Sequence, residues 1–132
     1  MERSLKKDLW GRLADECLAA AGVCLGREHW RSVVNRAYYA MFAASTRALL
    51  SRGATPRPIW GTWSHEQIPD VVHEQLQSCL RPSVVSQVRK HVRMGRQLRE
   101  MADYDPAVTV DDETAKRAFG YASAVTRALR DM

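Results

Sequence analysis

Apolar residues recur along this chain at helical spacing, three and four apart, almost from end to end. The clearest stretch is Asn35 to Leu50, NRAYYAMFAASTRALL. On a helix, Val34, Tyr38, Met41, Phe42, Ser45, Ala48 and Leu49 share one face, the spacing of a core-facing stripe. The opposite face carries Arg36, Tyr39, Ala43, Arg47 and Leu50, small and aromatic where charge is usual. A helix apolar most of the way round is a central, buried one. This pattern predicts a helix from about Glu28 or Trp30 to Ser51, ended by Arg52-Gly53.

Around it the pattern predicts four further helices. Ser4 caps a first helix reaching Leu25, with Leu9, Leu13, Cys17, Ala20 and Cys24 as its stripe, Trp10 and Ala21 on its flank, and Gly26 as its stop. The link to the central helix is short, which makes the two antiparallel neighbours. Gly53 to Trp63, GATPRPIWGTW, has the prolines and glycines of an irregular segment. Its Ile59, Trp60 and Trp63 either cap the core or are offered to a partner. A third, shorter helix follows from Ser64, with Gln67 at the capping-box position, to about Leu80. Ile68, Val71, Val72 and Leu76 are its apolar side. A fourth runs from Ser83 to about Ala102. It has Val84, Val85, Val88, Val92, Gly95 and Ala102 on one face and Arg89, Arg93 and Arg96 on another, with Lys90 beside them. Asp103-Tyr104-Asp105-Pro106 breaks it, because proline disfavours helix in the residue before it. The last helix starts at Thr109 or Asp111, with acids in its first turn, and buries Ala115, Ala118, Phe119, Ala122, Val125, Thr126 and Leu129. The expected fold is all-α: an up-and-down four-helix bundle with an additional short helix, one domain over residues 1–132.

Composition changes this picture little. At 132 residues with 45% apolar content, the chain buries a core without disulfides or metal. No uninterrupted apolar run is long enough to span a membrane. The charged start, MERSLKKDLW, lacks the apolar core of a signal peptide, so a cytoplasmic location is expected. Cys17, Cys24 and Cys79 show no C-x-x-C spacing. Cys17 and Cys24, seven apart on a helix, lie about 10 Å apart along its axis, beyond disulfide reach. Reduced, buried thiols are expected. The net charge of +5 favours anionic partners only weakly.

Arg99 carries the most chemical information. By helical angle it falls inside the Val88, Val92, Gly95 stripe, and an arginine there must be paired. Asp103, one turn later, is the local partner. The pair is either a structural salt bridge or a guanidinium lining a cleft that meets phosphate or carboxylate. His29, His65, His73 and His91 lack metal-ligand spacing, and no metal or cofactor is expected. His65 follows the Trp-bearing loop at a helix start. The row Arg89, Arg93, Arg96 is either a solvated face or a track for a phosphate backbone. Nothing matches a G-x-S-x-G elbow, a P-loop or a G-x-G-x-x-G turn.

Asn35 to Leu50 resembles the corresponding helix of HEPN-domain proteins, in particular a small stand-alone prokaryotic branch that reads A-Y-Y-A-M-F followed by A-x-x-A-L-L. Ser64-His65 stands where that branch has S-H opening its next helix. Leu98 to Asp105, LREMADYD, is similar to its R-x-x-A-D-Y-D. The likeness covers essentially the whole chain. It implies a helical bundle that dimerises, in systems of RNA processing, defence or toxin–antitoxin pairs, beside a nucleotidyltransferase in many members. The family's active ribonucleases use R-x(4–6)-H from each subunit and no metal. No histidine here has an arginine at that distance. Arg57 precedes His65 with seven residues between.

Two readings follow. In the first, the chain is a homodimeric binding module for a nucleotide, RNA or a nucleotidyltransferase partner, through a cleft between the second and fourth helices. Arg36, Tyr39, His65, Arg99, Asp103 and Tyr104 line that cleft, and Arg89, Arg93 and Arg96 are further candidates for binding nucleotide or RNA. In the second, it is a metal-independent endoribonuclease with a displaced motif. His65 or His91 is then the acid/base, and Arg99 stabilises the phosphate in the transition state.

Overall fold

The computed structural model describes residues 2–56 and 63–132. Five helices follow in order: α1 (Glu2–Gly26), α2 (Trp30–Ser51), α3 (Ile68–Leu76), α4 (Pro82–Tyr104) and α5 (Asp112–Leu129). Arg57, Ile59 and Trp60 lie outside the described residues.

The α2 helix touches all four others. Of its residues, Val33, Val34, Ala37 and Tyr38 are buried, then every one from Ala40 to Thr46, and after Arg47 also Ala48, Leu49 and Leu50. Burial on consecutive positions needs neighbours on every side, as its two apolar faces imply. Trp10 of α1 meets Phe42 late in α2, so these helices run antiparallel. Asn35 bonds Asp103 while a Cβ on Gly95 would touch Met41, so α4 is antiparallel to α2. His91 stacks on Tyr121, and Val84 shares a groove with Val125 and Ala128, which makes α5 antiparallel to α4. This is the expected up-and-down bundle, with α3 inserted against α4 and α2.

Local chemistry explains the boundaries, and several differ from those expected. Ser4 does not cap α1, which already runs from Glu2. Past the end of α1, Glu28 rather than Gly26 takes the left-handed conformation, with φ 61°. Ser64 Oγ does accept from Gln67 N at 3.2 Å, but this bond closes a turn. The α-helix starts at Ile68 with a proline in its first turn and stops at Leu76, short of Leu80. In α4 the cap is Arg81 and Pro82 opens the helix, so Ser83 is already inside it. Proline suits a first position, where the missing N–H has no helical partner to lose. Asp111 caps α5 by accepting from Thr114 N at 2.9 Å.

The buried face of α1 differs most from expectation. Ala14, Cys17 and Ala21 are buried, whereas Leu9 and Leu13 are 52% and 41% exposed. The stripe is rotated by about a quarter turn toward the small residues. Small residues let α1 lie close on its neighbours: a Cβ on Gly11 would meet Arg47 of α2 at 3.1 Å, and one on Gly22 would meet Phe119 of α5 at 3.6 Å. Leu5, Leu9 and Leu13 therefore point outward. Trp63 is packed into the core cluster, so that tryptophan caps the core. Of the thiols, Cys17 is buried, Cys24 half-buried and Cys79 exposed, and all three are free.

A clamp that the sequence did not suggest joins α2 to the end of α4. Arg31 donates to the carbonyls of Ala102 and Val108, with longer contacts of 3.4 Å to Asp105 and Pro106. Carbonyls at a helix C-terminus lack helical donors, and a cation there also meets the negative end of the dipole. The clamp fixes the segment that carries Asp103 and Tyr104.

Candidate functional site

The α2–α4 contact and the turn before α3 bring one polar cluster together. Gly95 stands at this contact. A Cβ there would overlap Met41 Cε and touch Tyr38 Cδ1 at an ordinary 3.7 Å, so the glycine leaves room for the end of Met41 where α4 crosses α2. One turn on, Arg99 enters the same contact, and its side chain is only 9% exposed. Its guanidinium carbon lies 5.2, 5.6 and 5.9 Å from the ring centroids of Tyr38, Tyr39 and Tyr104. These are cation–π distances. Asp103 is its ion-pair partner at 3.5 Å, and Tyr39 Oη accepts from it at 3.4 Å. Asp103 in turn accepts from Asn35 Nδ2 at 2.9 Å. Arg99 Nε is buried without a hydrogen-bond partner among the described residues. Burial works against the charge, but the tyrosine hydroxyls, Tyr104 first, outweigh it and the group's pKa is raised.

His65 completes the cluster. Its ring packs 4.4 Å from that of Phe42 and 5.5 Å from that of Tyr38. Tyr38 Oη lies 2.7 Å from His65 Nδ1. Burial pushes the Tyr38 hydroxyl up to about 12, so it keeps its proton and must donate it. Nδ1 is the acceptor within reach among the described residues, which leaves the imidazole proton on Nε2. Burial, then the charges of Arg99 and Arg96, hold His65 below its ordinary value. The cluster thus pairs a fixed cation with a neutral, oriented imidazole and with Tyr104, which is 73% exposed.

Of the expected residues, Tyr39, His65, Arg99, Asp103 and Tyr104 do meet. Arg36 does not. It is exposed and its charge falls on Cys17 of α1, because α2 turns Asn35 rather than Arg36 toward Asp103. His91 is also elsewhere, stacked on Tyr121 with ring centroids 4.7 Å apart. Burial, then Lys90, lowers its pKa. Eight residues before Arg99, it stands about 12 Å from that residue along α4. Arg96 pairs with Glu100 at 3.0 Å. Arg89 and Arg93 converge on Oδ1 of Asp70 in α3, each with an N–O distance of 2.6 Å. Hydrogen bonding from Arg89, then the charges of Arg93 and Arg89, lowers the pKa of Asp70. Tyr38, Asn35 and Asp70 were not among the expected site residues. Tyr38 reads as plain core by its spacing, and its hydroxyl was the available signal, since a buried phenol needs a partner. Among the described residues no group of three His, Cys, Asp or Glu side chains is arranged to hold a metal, and no helix is long and apolar enough to cross a membrane.

The HEPN domain family matches residues 8–132. The chain belongs to the HEPN family. A UPF0332 protein of Thermotoga maritima is similar to it at 24% identity, over 95% of this chain and 92% of the relative. The all-α bundle is the one this HEPN resemblance implied. Its ribonuclease motif is missing from the Arg99 cluster in a definite way. One turn after the arginine, the HEPN chain places Asp103 and Tyr104, and the histidine comes instead from the turn before α3.

Proposed function

We propose that this HEPN protein is a binding module for RNA or a nucleotide, with the Arg99 cluster as its recognition site. The observation that carries the reading is the incomplete pairing of a buried cation. Arg99 has one carboxylate at 3.5 Å, one long hydrogen bond to Tyr39, the Tyr104 hydroxyl beside it and an Nε without a partner among the described residues. A purely structural arginine at this depth is expected to be better satisfied. A phosphate supplies the charge and acceptors that Arg99 lacks. Tyr104, beside it and largely exposed, offers a face on which a base stacks. On this reading its setting is a toxin–antitoxin, defence or RNA-processing system, acting as a homodimer, as the family resemblance implies.

The test is fluorescence anisotropy with labelled single-stranded RNA, comparing the wild type with Arg99→Met and Tyr104→Ala. Both variants should lose at least about tenfold in affinity while keeping their helical content. Unchanged affinity in Arg99→Met would sink the proposal. No binding of RNA or nucleotide by the wild type would redirect the search to a nucleotidyltransferase partner.

One observation favours a second reading, metal-independent RNA cleavage. The Tyr38–His65 bond leaves an Nε2–H on a neutral imidazole that lies within the field of Arg99, a hydrogen-bond donor to a developing oxyanion next to a phosphate stabiliser. Cleavage of RNA in EDTA that His65→Gln abolishes, with DNA left intact, would establish it. A requirement for Mg²⁺ would exclude it.

A further inference from the structure

The Arg89–Asp70–Arg93 triad has no part in the cluster just described, yet it lies on the same helix, where α4 meets α3. Two guanidinium groups converge on a single carboxylate oxygen there. Arg89 donates from Nε at 3.0 Å and from Nη2 at 2.6 Å, and Arg93 from Nη2 at 2.6 Å. Arg96 and Arg99, further along α4, have one carboxylate each, Glu100 and Asp103. At the triad two guanidinium groups share a single one. Its members are open to solvent, with the Asp70 side chain 59% exposed. An exposed ion pair contributes little and exchanges readily. Two arginines sharing one oxygen anion also have the geometry that grips a phosphate oxygen.

We infer that Arg89 and Arg93 form a second phosphate subsite, occupied in the free protein by Asp70 as a built-in stand-in for phosphate. The inference rests on the reading of Arg99 as a phosphate-binding residue. It narrows the ligand from a nucleotide to a strand. At 1.5 Å per residue, the midpoint of Arg89 and Arg93 is about 12 Å along α4 from Arg99. That span exceeds one nucleotide repeat, so a mononucleotide occupies one subsite only. A single strand of RNA reaches both, running along the α3-facing flank of α4 past Arg96. Asp70 then acts against binding, and its removal strengthens the grip on a strand.

The experiment measures affinity for uridine monophosphate and for oligouridylates of increasing length, up to about eight nucleotides. It uses the wild type, Arg89→Ala/Arg93→Ala and Asp70→Asn, with thermal unfolding of each alongside. Wild-type affinity should climb with length and then level off. The double variant should lose about tenfold on the longest strand, with little change for the monophosphate. Its salt slope should shrink by about 0.7, one phosphate contact on a single strand. Asp70→Asn should bind the longest strand roughly threefold more tightly. Wild-type affinity that does not change with length overturns the second subsite and leaves the Arg99 reading standing. Asp70→Asn that weakens strand binding, or that lowers the melting temperature together with the double variant, makes the triad a structural tie between α3 and α4 and overturns it too. Absence of any binding by the wild type instead defeats the underlying reading of Arg99.

Discussion

Replacing Arg99 by methionine separates a residue kept for binding from one kept for stability. At 3.5 Å and an effective dielectric near 20, the attraction to Asp103 is about 5 kcal/mol before desolvation is counted. Removing a guanidinium from water costs several kcal/mol, and the buried Nε adds about 1–3 kcal/mol for its missing partner. The long bond to Tyr39 and the ring contacts return roughly 0.5–1 kcal/mol each. These terms nearly cancel. Methionine keeps much of the apolar stem and removes the charge. Asp103 then retains its bond from Asn35 and contact with water. The expected change in stability is therefore within about 1.5 kcal/mol of zero and can be favourable, as when buried ion pairs are replaced by apolar residues. In a chain of this size that is a shift in melting temperature of roughly 6 °C or less. Urea titration followed by circular dichroism gives the stability, and anisotropy with labelled RNA gives the binding. A loss of more than about 3 kcal/mol would show that Arg99 holds α4 against α2, and the argument from incomplete pairing would fail.

Three further outcomes follow from the packing and the electrostatics. The folded pKa of His65 is depressed, so between that value and its ordinary value of about 6.5 the unfolded chain binds more protons. Its contribution to stability is thus present above about pH 6.5 and is lost as pH falls toward the folded value, with His91 adding a second term of the same sign. Urea midpoints measured across this window should show a shallower slope in His65→Gln, and an unchanged slope would contradict the burial of His65. Leu49→Ala, at a fully buried position of α2, should cost about 2–5 kcal/mol. Leu9→Ala on the outward face of α1 should cost under about 1 kcal/mol at low protein concentration, and equal losses would put Leu9 in the core after all. Asp111→Ala removes the cap on Thr114 N and should lower stability by about 1 kcal/mol, which Asp111→Asn should largely restore in the same titration.

The helices were legible because their apolar periodicity is long and strong. Tyr38, Met41, Phe42 and Leu49 mark the buried α2, and Ala115, Ala118, Ala122 and Leu129 mark α5. Arg99 was legible for the complementary reason, since a charge in an apolar stripe stands out against the pattern. Periodicity does not say which of two apolar stripes a neighbour will cover. On α1 the covered stripe is the smaller one, Ala14, Cys17 and Ala21, because close approach between helices favours small residues over large ones. Nor does it match partners far apart in the chain. Only the docking of the turn before α3 on α2 placed Tyr38 on His65, and only the packing of α2 against α4 placed Asn35 on Asp103 and Arg31 on the end of α4. Only the packing of α3 against α4 set Asp70 between Arg89 and Arg93. Local sequence determines which residues lie on one face of a helix. What that face meets depends on how the helices rotate and dock, a balance of side-chain volumes over the whole core that no single stretch contains.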